Sequence, residues 1–302
     1  FKELGVDEEN IKGRIKAVEL IEEEALKAKL RAEELGVNST TIVNSDIFHY
    51  LKSNKVDRYD VVLGNPPFIR YQSFPKEHRE LAISMMRELG LKPNKLTNIW
   101  VPFLVISASV LKSNGKLAMV IPAELFQVKY AAETRVFLST FFDRITIITF
   151  KKLVFKNIQQ EVLLILCEKK TAKNKGIRVI ECEKLDDLKE VNFKEINRTS
   201  VKPIDHSTEK WTKYFLSEEE INLLKRLKSD KRIIPCRNIL DVDVGFVTGR
   251  NEFFIMKESK VNEWNLEKYT ISVVSKSNQL KGIYFSDKDF KENSKADLPT
   301  YL

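Results

Sequence analysis

The stretch Gly64-Asn65-Pro66-Pro67-Phe68 follows directly on an apolar run, Val61-Val62-Leu63. Asn65 precedes a proline and is held extended. Pro66 and Pro67 have a fixed φ and no amide proton, so the main chain here offers only carbonyls. The side-chain oxygen of Asn65 and the carbonyl of Pro66 can therefore form a rigid pair of acceptors. A pair of acceptors suits an exocyclic amine whose lone pair is delocalised into its ring. Taking both hydrogens favours a pyramidal nitrogen and aims the lone pair at an electrophile, which is catalysis by positioning and electrostatics. Phe68 adds a stacking face for a planar base. The plainer alternative for the same residues is a Pro-Pro turn whose Phe68 caps the core.

Two carboxylates precede this motif, each at the end of a strand-like segment. Glu19 closes the first and Asp46 the second. An acid at such a position commonly accepts hydrogen bonds from ribose hydroxyls, because a carboxylate is acceptor-only and can bind in bidentate fashion. Glu19 would equally suit the positive end of a helix, and Asp46 could simply cap the turn before Phe48-His49-Tyr50-Leu51.

Positioning these groups requires an alternation of elements. Six segments read as strands: 14–20, 41–47, 59–64, 116–121, 144–150 and 161–168. Several are apolar almost throughout, as expected for strands covered on both faces. Helical patterns lie between them, over 20–35 with Gly36 as the stop, over 98–115 with Gly115 as the stop, and over 131–142. This alternation predicts an α/β fold with a mostly parallel sheet. The last two strands are joined too briefly for a crossover helix, so they should form an antiparallel hairpin at one edge. A polar stretch, 169–176, marks a change of character. The domains are expected to be 1–170 and 171–302, the second a mixed α+β region.

The 302 residues carry a net charge of +8. Residues 1–60 hold ten basic and 13 acidic side chains, and residues 61–170 hold 16 and eight. The excess therefore lies in the segment that opens with the motif, where a polyanion partner would explain it as well as plain solvated lysine faces would. No apolar run is long enough to span a membrane, and the first ten residues resemble no signal or transit peptide. Three cysteines and three histidines stand without ligand spacing, so neither a metal site nor a disulfide framework is expected. The cytoplasm is the default compartment.

Gly64–Phe68, preceded by Asn44-Ser45-Asp46-Ile47-Phe48 and by 17–25 (AVELIEEEA), resembles the amino-methyltransferases that make N6-methyladenine in DNA. The order is similar to the gamma class of restriction–modification systems. The resemblance covers roughly residues 1–170 and implies a Rossmann-like, S-adenosylmethionine-dependent methyltransferase acting on double-stranded DNA with the target base flipped out. A restriction endonuclease or a specificity subunit is the further class of partner it implies. By the same resemblance Glu19, with Leu20 beside it, binds the cofactor ribose. Asp46 binds the cofactor adenine and Ile47 packs on that ring. Asn65, Pro66, Pro67 and Phe68 hold the target adenine, with Asn65 also bordering the cofactor. Residues 111–127 resemble the family's helix–Gly–strand–Pro segment behind the target pocket. Residues 153–169 resemble the hairpin whose aromatic, here Phe155, lies on the other face of the extruded base, although a hydrophobic hairpin residue is the simpler reading of Phe155. Arg70, Lys152 and Lys156 are the expected DNA contacts of the catalytic region.

Residues 244–256 resemble the start of the recognition domain in related enzymes. There Arg250 and Asn251, in the turn Thr248-Gly249-Arg250-Asn251, could reach bases or phosphates, or could be ordinary surface polars of a hairpin. One element of the family pattern is missing. The Gly-rich loop that cradles the methionine part of the cofactor would lie just before Phe1, so the chain is expected to be shortened at its N-terminus and to bind S-adenosylmethionine weakly or not at all. Three other readings stay open: methylation of a protein glutamine, methylation of an RNA base, and a catalytically dead DNA-binding fragment.

Overall fold

A computed structural model describes residues 14–54, 58–93, 97–154, 160–171, 173–192, 196 and 200–302. The chain forms two compact units, one ending at Ser229 and the other running from Asp230 to Leu302. Each is described by itself.

The first unit contains two sheets, one of two strands and one of five. Strand β1 (Ala17–Glu19) pairs with β2 (Ile42–Asn44), with Glu19 opposite Asn44. Between them runs helix α1 (Glu22–Glu34). Its C-terminus is closed by Gly36 in the left-handed region at φ 70°, with the amides of Gly36 and Val37 donating to the carbonyls of Glu33 and Ala32. Only glycine adopts that conformation without steric cost, and the two bonds satisfy carbonyls that a helix end leaves orphaned.

The larger sheet has five strands in the order β3 (Tyr59–Gly64), β4 (Leu111–Pro122), β6 (Val162–Glu168), β5 (Arg144–Phe150), β7 (Gly176–Cys182). Strands β3 and β4 are parallel, β6 runs against both of its neighbours, and β5 and β7 are parallel. The expected antiparallel hairpin is β5–β6. It does not form the edge of the sheet, because β7, beyond the polar stretch, pairs outside β5. The segment after residue 170 thus continues the first unit, whereas the sequence pattern alone suggests a boundary there.

Helices α2 (Ile47–Ser53), α3 (Lys76–Glu88) and α4 (Trp100–Ser109) pack on this framework, and α5 (Ala132–Phe141) precedes β5. Helix α4 is buried almost all round, from Trp100 and Leu104 to Ala108. Pro102 sits in its first turn, where a missing amide proton costs nothing. The helix stops at Ser109, not at Gly115 as its apolar run suggests. Leu111 already begins β4, and Gly115 lies inside that strand, at an irregularity where the register with β3 shifts between Tyr59 and Val61. A Cβ on Gly115 would stand 2.8 Å from the Leu111 Cβ, so the close approach needs glycine.

Strand β3 also departs from the pattern of a strand covered on both faces. Val62 packs on the core, but Val61 and Leu63 are exposed, Leu63 at 74%. Its apolar run therefore does not report two-sided burial.

Residues 200–215 are bound firmly to the first unit. Lys202 and Ile177 exchange backbone hydrogen bonds of 2.8 Å. Trp211 and Tyr214 are buried in the main core, and Phe126 and Phe215 pack with ring centroids 4.9 Å apart. Arg135, 2% exposed, donates to the carbonyls of Leu125, Val128, Thr208 and Glu209 at 3.0–3.1 Å.

Lys213 adds an ionic tie. It donates to Asp205 and, at 3.0 Å, to Glu209. Burial alone would raise the Asp205 carboxyl, but the Lys213 ammonium and the Ser207 donors outweigh it and hold the group at about 2. A depressed folded value stabilises the fold above the ordinary carboxylate range, and this contribution is lost as pH falls toward 2. Acid titration of stability should therefore show a loss between roughly pH 4 and 2 that Asp205→Asn reduces, measured by urea midpoints across that range.

The second unit holds α6 no longer but begins after it: α6 (Glu218–Ser229) ends the first unit. Beyond it come α7 (Asn251–Phe254), β8 (Met256–Lys257), α8 (Glu258–Glu263), α9 (Asp287–Lys295) and β9 (Pro299–Tyr301), with β8 and β9 antiparallel. Gln279 is buried and ties its turn to β9, its side-chain amide donating to the Pro299 carbonyl at 2.8 Å.

Candidate functional site

The three sequence-derived groups fall at the C-terminal ends of parallel strands, the usual place for ligands in open α/β sheets. Glu19 ends β1. Its Oε1 accepts the Ile21 amide at 2.9 Å, and its carbonyl accepts both the Ser45 amide and the Asn44 side chain. The turn carrying Glu19 and Leu20 is thus pinned to the turn after β2. Leu20 and Ile21 present their side chains outward, 49% and 59% exposed, an apolar rim beside the carboxylate.

Asp46 is buried at 6% exposure and is the N-cap of α2. Its Oδ1 accepts the amides of Phe48 and His49, both at 3.0 Å. The capping alternative weighed for Asp46 is therefore what it does locally. Its Oδ2 takes neither amide and faces His78. Ile47, the first residue of α2, is half-buried against the core.

Asn65 to Phe68 follow Gly64, the last residue of β3. Pro66 is buried, Phe68 packs partly on the core, and Asn65 is exposed with its side chain available to a ligand. The core-capping alternative for Phe68 thus holds in part, since one part of its ring surface is in the core. The chain then passes exposed Arg70 and a short turn, Tyr71–Ser73, to α3. Arg79 stacks over the Tyr71 ring at 4.6 Å and donates to the Tyr71 carbonyl, fixing that turn.

The segment after the motif returns to Asp46. Phe74 meets Phe48 edge-on, with centroids 6.4 Å apart, and Phe48 meets Phe103 at 4.8 Å. His78 Nδ1 lies 2.9 Å from Asp46 Oδ2. The second and third elements of the pattern are thereby linked through α2 and α3. Sequence reasoning missed His49 and His78, because residues on two helices gain a shared location only when the helices pack.

Behind the motif, Tyr130 donates to Glu124 and accepts from Trp100 Nε1 at 3.3 Å. Burial, then the neighbouring Glu124 carboxylate, pushes the Tyr130 phenol far above its ordinary value. It remains a fixed donor at any physiological pH and locks the turn that follows β4.

Lys152 is exposed, and its amide donates to the Glu183 carbonyl at 3.1 Å. Phe155 and Lys156 lie outside the described residues. Arg250 is the exposed residue before α7, and Asn251 opens that helix with its side chain in contact with the Thr248 hydroxyl. The hairpin that was the plainer alternative for this turn is not seen: the segment is a helix start. Both residues belong to the second unit.

The sheet order and the strand-end groups define a Rossmann-like methyltransferase fold. A family model described as Eco57I restriction-modification methylase matches residues 4–155, and one described as the C-terminal domain of the type II methyltransferase M.Eco57I matches residues 208–302. The chain belongs to the Eco57I restriction-modification methylase family. It is 26% identical over 271 residues to the type II methyltransferase M.AccI of Acinetobacter calcoaceticus, covering 86% of this chain and 48% of that protein. The chain thus spans about half the length of that curated relative. Among solved structures it is similar in fold to the DrdV chain of a DrdV–DNA complex. That match has a TM-score of 0.54 and 16% identity, and covers 70% of this chain and 26% of that one.

Proposed function

We propose that the protein transfers a methyl group from S-adenosylmethionine to the N6 amine of an adenine flipped out of double-stranded DNA, within a restriction–modification or related defence system. The observation that carries this reading is the motif itself: an exposed Asn65 amide beside a buried Pro66, at the C-terminal end of β3, with Phe68 packed in part on the core.

The residues present suit the cofactor. The Glu19 carboxylate, half-buried and pinned at a strand end, offers acceptors to ribose hydroxyls, with the exposed Leu20 next to it. Asp46 Oδ2, unused by the helix cap, offers one to the adenine amine, and Ile47 an apolar contact. The cofactor, when bound, supplies a methyl group on a sulfonium centre that a weak amine can attack. The protein's own part is to bind and orient. Asn65 Oδ1 and the Pro66 carbonyl take the two amine hydrogens, so the nitrogen lone pair is released from the ring and directed. The rigidity of Pro66 and Pro67 makes this arrangement available without reorganisation. Phe68 and Phe155 would hold the base by its two faces, the usual treatment of an extruded nucleotide.

Arg70, Lys152 and Lys156 are proposed to meet phosphates, which fix register but carry no sequence information. The second unit, residues 230–302, Arg250 and Asn251 in particular, is proposed to read the target. An endonuclease or specificity subunit is the proposed partner, and no described helix is long and apolar enough to cross a membrane. Membership of a restriction–modification family favours DNA over a protein glutamine or an RNA base. A methyl-transfer assay offering duplex DNA, a release factor and ribosomal RNA in parallel tests this. Label should enter DNA, and label in either alternative substrate instead would overturn the reading.

A further inference from the structure

Asp46, His49 and His78 converge in a way that neither the helix cap nor the proposed reaction requires. One ligand atom from each can be chosen so that all lie within 4.8 Å of one another. His49 Nδ1 is 3.2 Å from Asp46 Oδ1, and His78 Nδ1 is 2.9 Å from Asp46 Oδ2. The two imidazole rings stand edge to face with centroids 5.5 Å apart. Glu77 is adjacent, 3.7 Å from the far nitrogen of His49.

His78 supplies an independent observation. Its Nδ1 is a buried atom, and despite its closeness to Asp46 it has no hydrogen-bond partner among the described residues. The approach has the distance of a hydrogen bond without its direction. A buried polar atom left without a well-aimed partner is destabilising, and a partner that accepts electron pairs from several directions would relieve it. A metal ion is such a partner, since it needs lone pairs and not protons.

The ligand chemistry is selective. Two neutral imidazoles and one carboxylate suit zinc and its neighbours in the first transition row, and do not suit calcium or magnesium, which take oxygen ligands. A tetrahedral ion with bonds of about 2.0–2.1 Å would draw the three ligand atoms closer together than the 4.8 Å within which they lie. His49 is half-exposed, so the ion has a route in and a position left for water or Glu77. The backbone amides of Phe48 and His49 hold Asp46 in place, as outer partners commonly hold a ligating carboxylate.

We propose that Asp46, His49 Nδ1 and His78 Nδ1 form a binding site for a zinc-class divalent cation. The site shares Asp46 with the proposed cofactor pocket, so metal and cofactor would compete for that carboxylate. Metal binding itself is read without cofactor or DNA, so its outcome is separate from that of the methyl-transfer reading.

Cobalt(II) is the probe, because its visible ligand-field absorption reports coordination number and imidazole ligation directly. Titrating the protein with cobalt should give an intense, saturable tetrahedral-type spectrum at one ion per chain, reversed by zinc. His78→Ala and His49→Ala should each abolish it. His206→Ala, whose ring lies 3.2 Å from the Ser139 hydroxyl away from this cluster, should leave it unchanged. Circular dichroism checks that each variant is folded. If either His variant unfolds, imidazole NMR signals of the unaltered protein should shift for His49 and His78 alone on adding zinc. Absence of a saturable spectrum, a spectrum that survives both folded variants, or zinc shifts confined to His206 would overturn the site.

Discussion

Asn65→Ala should abolish methyl transfer while leaving the fold intact. The loss expected is about 10²–10³-fold or more in kcat, the usual consequence of removing one preorganised polar group that acts in the transition state. The effect should fall on kcat and kcat/KM together, the signature of an interaction made mainly in the transition state. Asn65 is exposed at the tip of β3, so its truncation leaves no buried group unpaired and the unfolding midpoint should barely move, by about 0.5 kcal/mol at most. Steady-state kinetics of the protein expressed from its complete gene, with thermal melting alongside, checks both parts. Activity retained within tenfold would remove Asn65 from the site.

Arg135→Ala should have the opposite profile, a structural collapse without any chemical role. The guanidinium meets four backbone carbonyls from two distant segments, 125–128 and 208–209, and burial pushes it below its ordinary value although it stays charged. Removing it strands buried acceptors that had charge-assisted bonds, at a cost of about 1–3 kcal/mol for each acceptor that water cannot reach. A total of about 3 kcal/mol or more is expected, read as a lowered urea midpoint. Arg135→Lys should recover only part of it, because a single ammonium cannot span the fork. A midpoint unchanged in Arg135→Ala would show that 200–215 is held by its other contacts, chiefly the Trp211 and Tyr214 packing and the Lys202–Ile177 backbone bonds.

The legible parts of the fold were those with punctuation. Strands 59–64, 144–150 and the 162–168 arm of the hairpin stand almost where their apolar runs begin and end. Helix α1 ends where Gly36 makes it end. Residues 98–115 were harder, because an all-apolar run carries no period to separate helix from strand. The break falls after Ser109, and Gly115, which looks like a helix stop, serves a close approach inside β4. The exposure of Leu63 also escapes the sequence, since a strand's hydrophobicity does not say which neighbours cover it. Within the candidate site, the strand-end placement of Glu19, Asp46 and Asn65–Phe68 was legible in the sequence. His49 and His78 were not, because their meeting depends on the packing of α2 against α3 through Phe48 and Phe74. The role of 171–229 was obscured for the same kind of reason: β7 reads as a new beginning after a polar linker, yet completes the earlier sheet.

The proposed role of the Asn65–Phe68 motif is to present an adenine amine for methylation. Its most direct test is single-molecule sequencing of DNA from a methylation-free host carrying the complete gene, compared with the same host carrying Asn65→Ala. N6-methyladenine is expected at one recurring sequence context in the first and none in the second. Modified cytosine, or adenine methylation undiminished in Asn65→Ala, would contradict it.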